Sequence, residues 1–165
     1  MATLAAQTLR GPFDATRTVI GGLIAGMVLG MWEMVLEAII PAGQGFFGPV
    51  ILIAATVLRN LQDLSPAQQP PLDVLAIILG LMGHMMNSVI FALIFAQVVR
   101  RLTQSNVGLI VSGVVYGIVV FGVMWYVILP LIDPVMLHVN ALVFSVGHMM
   151  YGLGLGLTGI WARQA

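Results

Sequence analysis

The chain has 165 residues, 60% of them hydrophobic and 7% charged, and its six arginines balance six carboxylates to a formal net charge of zero. With a mean hydropathy of +1.07, that balance excludes an ordinary soluble domain and the basic surface that nucleic acid requires. Cysteine is absent, which excludes disulfides and thiolate metal sites.

Four apolar runs, roughly 18–40, 74–99, 107–129 and 135–161, are long enough to cross a hydrocarbon core of about 30 Å at about 1.5 Å per helical residue. Residues 1–17 form a leader that ends in a helix start between Asp14 and Thr18. The first run is too long for a signal-peptide core and lacks a small-x-small cleavage site after it, so it is read as a retained helix stopped by Pro41. In the connection 42–71, the stretch GFFGPVILIAATVLRN (Gly45–Asn60) is apolar but too short to span, which predicts a short re-entrant or interfacial helix on the outer side. SPAQQPPLD then breaks the chain before the second run, which ends at Arg100 and Arg101. The LTQSN turn makes the second and third runs antiparallel neighbours, and LPLIDP makes the outer turn into the fourth. Trp125, Tyr126 and Trp161 fall where an aromatic belt belongs.

Lysine does not occur, and the arginines are unevenly placed. If the runs alternate direction, Arg10, Arg17, Arg100, Arg101 and Arg163 share one side and Arg59 alone takes the other. Both termini are therefore expected in the cytoplasm.

Gly22-x3-Gly26-x3-Gly30-Met-Trp, ending at Pro41, matches Gly113-x3-Gly117-x4-Gly122-Val-Met-Trp, ending at Pro130, and each is followed by a run carrying GHMM, at Gly83–Met86 and Gly147–Met150. The expected fold is an all-α integral membrane protein in one domain, 1–165. It is a four-transmembrane-helix bundle of two tandem hairpins, 18–99 with the outer insertion 42–71, and 107–161, about a pseudo-twofold axis along the membrane normal.

Helical spacing aligns Ala76, Gly80, His84, Ser88, Ala92 and Ala96 on one stripe, and Ala141, Ser145, His148, Gly152, Gly156 and Gly159 on another. Gly22, Gly26, Gly30, Glu33 and Glu37 form a third, so both histidines and both glutamates are expected to face protein. Counting the rise from Asp73, Pro134 and Pro41 puts His84 about 16 Å, His148 about 21 Å and Glu33 about 12 Å below the outer ends, which sets the histidines at a common level near the midplane.

A histidine in hydrocarbon needs a partner. One reading is a hydrogen bond across helices to Ser88, Ser145, Asn87 or a glutamate. A sharper one is a haem b with His84 and His148 as axial ligands, lined by Gly80, Ser88, Phe144 and Gly152, because diagonal helices of a square bundle stand about 11–14 Å apart. A copper or zinc site fits GHMM less well, since Met85, Met86, Met149 and Met150 project about 100° and 200° away from their own histidine. Glu33 and Glu37 suggest a proton pathway, against the simpler pairing of Glu37 with Arg59 and a Glu33 that is protonated or bonded to histidine. His138 lies near the outer interface and needs no special role.

The segments GLIAGMVLGMWEM, GHMMNSVIFALIFA, GVVYGIVVFGVMW and GHMMYGLGLGLTGI resemble the YagU-like and related uncharacterised small four-helix bacterial inner-membrane proteins. The resemblance implies a bacterial inner-membrane bundle with His84 and His148 at the matching positions and an association with acid tolerance. The leading expectation is a subunit or accessory protein of a respiratory or electron-transfer membrane assembly with that haem b. The alternatives are a cofactor-free structural bundle and a proton or small-solute conduit. An independent enzyme is not expected, since no nucleophile-base pair or phosphate loop occurs. The partners are the lipid bilayer and a larger membrane complex or a homo-oligomer, with no nucleic acid.

Overall fold

The computed structural model describes residues 14–103 and 105–162; Arg10, Arg163 and the side chains of Arg100 and Arg101 lie outside the described residues. Helix α1 covers Ala15–Ile39, the short α2 Gly48–Ala54 and α3 Val74–Leu102. Helix α4, Asn106–Val123, runs through a π turn at Met124–Ile128 into α5, Leu129–Ile132, and α6 covers Ala141–Ala162. Turns of 3₁₀ helix occupy Arg59–Asp63 and Pro134–His138, and no strand is present among the described residues. Four helical spans, Ala15–Ile39, Val74–Val99, Asn106–Ile132 and Ala141–Ala162, are long and apolar enough to cross a membrane.

Side-chain caps start the spans. Asp14 accepts from the Arg17 amide at 2.9 Å, Asp73 from the Leu75 amide at 2.8 Å, and Ser105 from the Gly108 amide at 2.9 Å. Two boundaries differ from the sequence expectation. Pro130 does not end the third span, because the Leu129 amide reaches back five residues to the Met124 carbonyl, and the widened turn carries the helix past a residue with no N–H. The fourth span begins later, at Ala141, because Pro134–His138 is wound as 3₁₀ helix and the Asn140 side chain caps the amides of Leu142 and Val143 at 3.0 and 3.2 Å.

The packing is inside-out relative to a soluble bundle. Ile24, Met27, Val28, Met82, Val115 and Leu142 are exposed, whereas Gly21, Gly22, Gly26, Gly113, Gly117 and Gly152 are buried. Lipid supplies no hydrophobic drive between helices, so close backbone approach provides the contact. A Cβ on Gly113 would stand 2.2 Å from the Gly152 carbonyl oxygen, and one on Gly117 would stand 2.1 Å from that of His148, so neither position holds a larger residue. Helices α1 and α6 form the centre, α3 packs on α1, and α4 packs on α6. The consecutive helices α3 and α4 touch only sparingly and are bridged by the Tyr116 hydroxyl, which donates to the Phe91 carbonyl at 2.8 Å.

At the end where α1 and α4 finish, α2 and parts of the connections are buried against the bundle. Nearly every residue of α2 is buried, and the helix lies so close on α3 that a Cβ on Gly80 would stand 1.8 Å from the Val50 carbonyl oxygen. Ile51, Leu52 and Leu61 join Val135, Met136, Val139 and Phe144 in one apolar cluster that caps this end of the bundle.

Candidate functional site

Glu37, 1% exposed, is the hub of that capped end. Its Oε2 accepts from the Gln44 amide at 2.8 Å and its Oε1 from the Asn140 amide at 2.6 Å. The carboxylate thereby ties the end of α1 to its own following loop and to the start of α6. Gln44 extends the knot, donating from its side-chain amide to the carbonyls of Pro66 and His138, each at 3.2 Å. A turn with Ala42 at φ 58° and Gly45 at φ 81° aims the Gln44 amide back at the helix. The pairing of Glu37 with Arg59 is corrected: Arg59 donates to the Ile132 carbonyl at 3.0 Å, and Glu37 is satisfied by backbone amides.

Glu33, one turn earlier and 3% exposed, has the opposite environment. Its Oε1 is buried without a hydrogen-bond partner. That oxygen faces α6 at Gly147, where a Cβ would stand 3.6 Å from it, 3.1 Å from Trp32 Cδ1 and 2.4 Å from Leu29 Cδ1. The Trp32 indole fixes the crossing by donating to the Val143 carbonyl at 3.0 Å. A carboxylate with an unpartnered oxygen in an apolar interior is costly, and the packing accommodates the neutral acid more readily.

The two GHMM segments are used differently. His84 Nε2 bonds the Gly26 carbonyl of α1 at 2.8 Å, across the helix interface but to backbone, so none of the four side-chain partners expected for it is used. His148, 7% exposed, bonds through Nδ1 to Phe144 of its own helix at 2.8 Å. Its ring sits 4.2 Å from that of Phe144 and 6.4 Å from that of Phe121. Gly147, beside His148, lies against Leu29, Trp32 and Glu33 of α1, and His84 lies against Gly26 and Gly30.

The haem b arrangement expected of these residues does not fit this geometry. The Nε2 of His84 is engaged with Gly26, aromatic rings pack on His148, Gly80 is closed by Val50, and Gly152 is closed by Gly113. Ser88 donates to the His84 carbonyl at 2.8 Å and its own carbonyl accepts from the Tyr151 hydroxyl, so it is occupied as well. The four lining residues therefore belong to separate contacts.

Instead, a cavity of about 60 Å³ opens beside His84 between α1, α2 and α3. Its walls include Glu33, His84, Met85 and the methionines 27, 31 and 34 of α1, but not His148, Gly80, Ser88, Phe144 or Gly152. Met85 and His84 both border this space. Sequence reasoning missed the α1 methionines, although Met27, Met31 and Met34 share a face at i, i+4 and i+7. It also missed Gln44 and Asn140, of which only Asn140, a capping residue ahead of an apolar run, carried a readable signal. No group of three or more His, Asp or Glu residues is arranged for a metal ion among the described residues.

Comparison with protein-family models, curated proteins and solved structures gives no match to this chain.

Proposed function

We propose that the chain is a multi-pass protein of the bacterial inner membrane, with both termini in the cytoplasm, that binds and releases a proton at Glu33. The carrying observation is the buried, unpartnered Glu33 Oε1 inside a helix apolar enough to span a membrane. Intramembrane carboxyl groups without structural partners are functional by default, and the structural work at this end is already done by Glu37. His84, bordering the same cavity, is the second protonatable group of the site.

The tandem-hairpin organisation is part of this reading. Gly22 contacts Ser88 and Ala92, four and eight residues after His84, and Gly113 contacts Gly152 and Gly156, four and eight after His148. Equivalent glycines therefore meet equivalent positions in the two hairpins, which supports an axis along the membrane normal and kinship with the YagU-like proteins. In that frame α2 is a re-entrant helix on the outer side, and the arginine bias sets the orientation.

Reconstitution into vesicles tests the proposal. Proton flux driven by a pH gradient should be lost in Glu33→Gln and retained in Glu37→Gln wherever the latter still folds. Equal flux through wild type and Glu33→Gln would overturn it.

A further inference from the structure

Asn87 is the one residue of the first GHMMNS segment whose side chain is polar and turned outward. It is the fourteenth of the 26 residues of the span Val74–Val99, and it is exposed where the surroundings are hydrocarbon. The hydroxyls of Ser88, Tyr116, Ser145, Tyr151 and Thr158 in the spans all donate to backbone carbonyls. The Asn87 amide makes no such bond among the described residues. An amide carries both a donor and an acceptor, and leaving both bare at mid-span is costly.

The neighbours of Asn87 on the helix surface form a seam. Alternate steps of four and three residues join Gly83, Asn87, Ile90, Ile94 and Gln97, the 3.5-residue period at which two helices pack along their length. The last four are exposed and Gly83 is half-buried. A Cβ on Gly83 would meet only Ile53 Cγ2, at 3.4 Å, so the backbone there is open to close approach. The contact of α3 with α1 runs through Ser88 and Ala92 on the opposite side of the helix and leaves the seam free. Both exposed amides of the span, Asn87 and Gln97, thus fall on one unpartnered line.

We infer that this seam of α3 is the interface of a homodimer in which Asn87 of each copy exchanges hydrogen bonds with Asn87 of the other. The occupant is a second copy because copies of one chain enter the membrane in one direction. A twofold axis along the membrane normal then sets the two α3 helices parallel and brings each seam residue opposite itself, at its own depth. An asparagine amide is its own complement, since the donor of one copy meets the acceptor of the other. The 3.5-residue period selects a left-handed crossing of about 20°, and a single asparagine within such a seam fixes its register. Gln97, ten residues on, repeats the pairing. Nothing in this interface depends on Glu33.

Energy transfer between donor- and acceptor-labelled full chains in lipid vesicles, with the labels on Ser65→Cys, tests the inference. Wild type should show transfer that falls on dilution with lipid to a two-chain limit. Asn87→Leu should weaken association at least tenfold, and Asn87→Gln, which keeps the amide, should restore most of it. Asn87→Leu removes no bond within the chain, so its helix content by circular dichroism should match wild type. A photo-reactive side chain at Ile90 or Ile94 should capture a second copy, whereas one at Ile24, exposed on α1, should not. Equal transfer in wild type and Asn87→Leu, a wild type that stays monomeric, or capture at Ile24 as efficient as at Ile90 would overturn the interface. Capture at Ile90 of other membrane proteins alone would overturn the second copy as its occupant.

Discussion

Glu33 and Glu37 sit four residues apart on one face of one helix, are equally buried, and are indistinguishable by helical position, yet the fold treats them as opposites. Glu37 lies where chain connections converge, so backbone amides from Gln44 and Asn140 reach both of its oxygens. Glu33 lies one turn deeper, where the neighbours are helix flanks with their own amides already bonded, and its Oε1 finds none. The lesson is that a carboxylate near a membrane helix end is cheaply satisfied by loop amides, whereas one further in is satisfied only by a dedicated side chain, a proton or a ligand.

The largest effect expected from breaking this contrast is at Glu37. Glu37→Leu removes two charge-assisted hydrogen bonds of about 1.5–3 kcal/mol each and leaves two buried amides bare, so a loss of roughly 3–5 kcal/mol is expected. Thermal unfolding in micelles should show a lowered and broadened transition, with Glu37→Gln intermediate because it keeps one acceptor oxygen. Glu33→Gln should change stability by less than about 1 kcal/mol, since no bond to Oε1 is lost. A Glu33→Gln variant as damaged as Glu37→Leu would erase the distinction.

A second contrast, expected to be somewhat smaller, lies between the glycines Gly80 and Gly83 of α3. Alanine at Gly80 meets the Val50 carbonyl, a backbone atom that cannot swing away, whereas alanine at Gly83 meets only Ile53 Cγ2 at 3.4 Å. Gly80→Ala should cost about 1–3 kcal/mol by overpacking and loosen α2 from α3, with faster hydrogen exchange over Gly48–Ala54 as the readout. Gly83→Ala should fold normally.

The capped end also titrates. Asp133, 2% exposed, is pushed up to about 6 by burial, with its hydrogen bond from Gln62 and the nearby Arg59 opposing the shift. Its folded value lies above the ordinary 3.8, so the folded state holds the proton more tightly, and this contribution rises as pH falls from about 6 toward 4. His138 works the other way: burial lowers it from 6.5, so its contribution is lost as pH falls below that value. Comparing unfolding midpoints of wild type and Asp133→Asn between pH 7 and 4 isolates the first effect, which should vanish in the variant.

Much of the bundle was legible because membrane spans are written in composition and stripe periodicity. The four spans, the short apolar helix and the α3 stripe of Ala76, Gly80, Ser88, Ala92 and Ala96 all follow from spacing, and these five stripe residues are buried. The two boundary errors have separate causes: Pro130 is expected to end the third span, whereas a π turn carries α4 past it, and the fourth span is expected from 135, whereas Pro134–His138 is wound as 3₁₀ helix and α6 begins at Ala141. The partners of Glu37 and His84 were illegible for a different reason. They are backbone groups, which carry no residue-type signal, and the Asn140 amide is 103 residues away in sequence. The cavity was hidden because its walls come from three helices, and of the two GHMM segments only the first borders it.

A smaller expected effect concerns orientation alone. Cysteine at Ser65, exposed in the capping connection, should be labelled from the outside of intact cells, and cysteine at Ser105 only after the membrane is opened.

The central claim is that Glu33 is the proton-exchanging group while Glu37 is a structural tie held by two backbone amides, and infrared spectroscopy of the reconstituted protein at neutral pH tests it. A protonated carboxyl C=O band should be present, disappear in Glu33→Gln and survive in Glu37→Gln. A spectrum without that band, or one in which only Glu37→Gln removes it, would contradict the account.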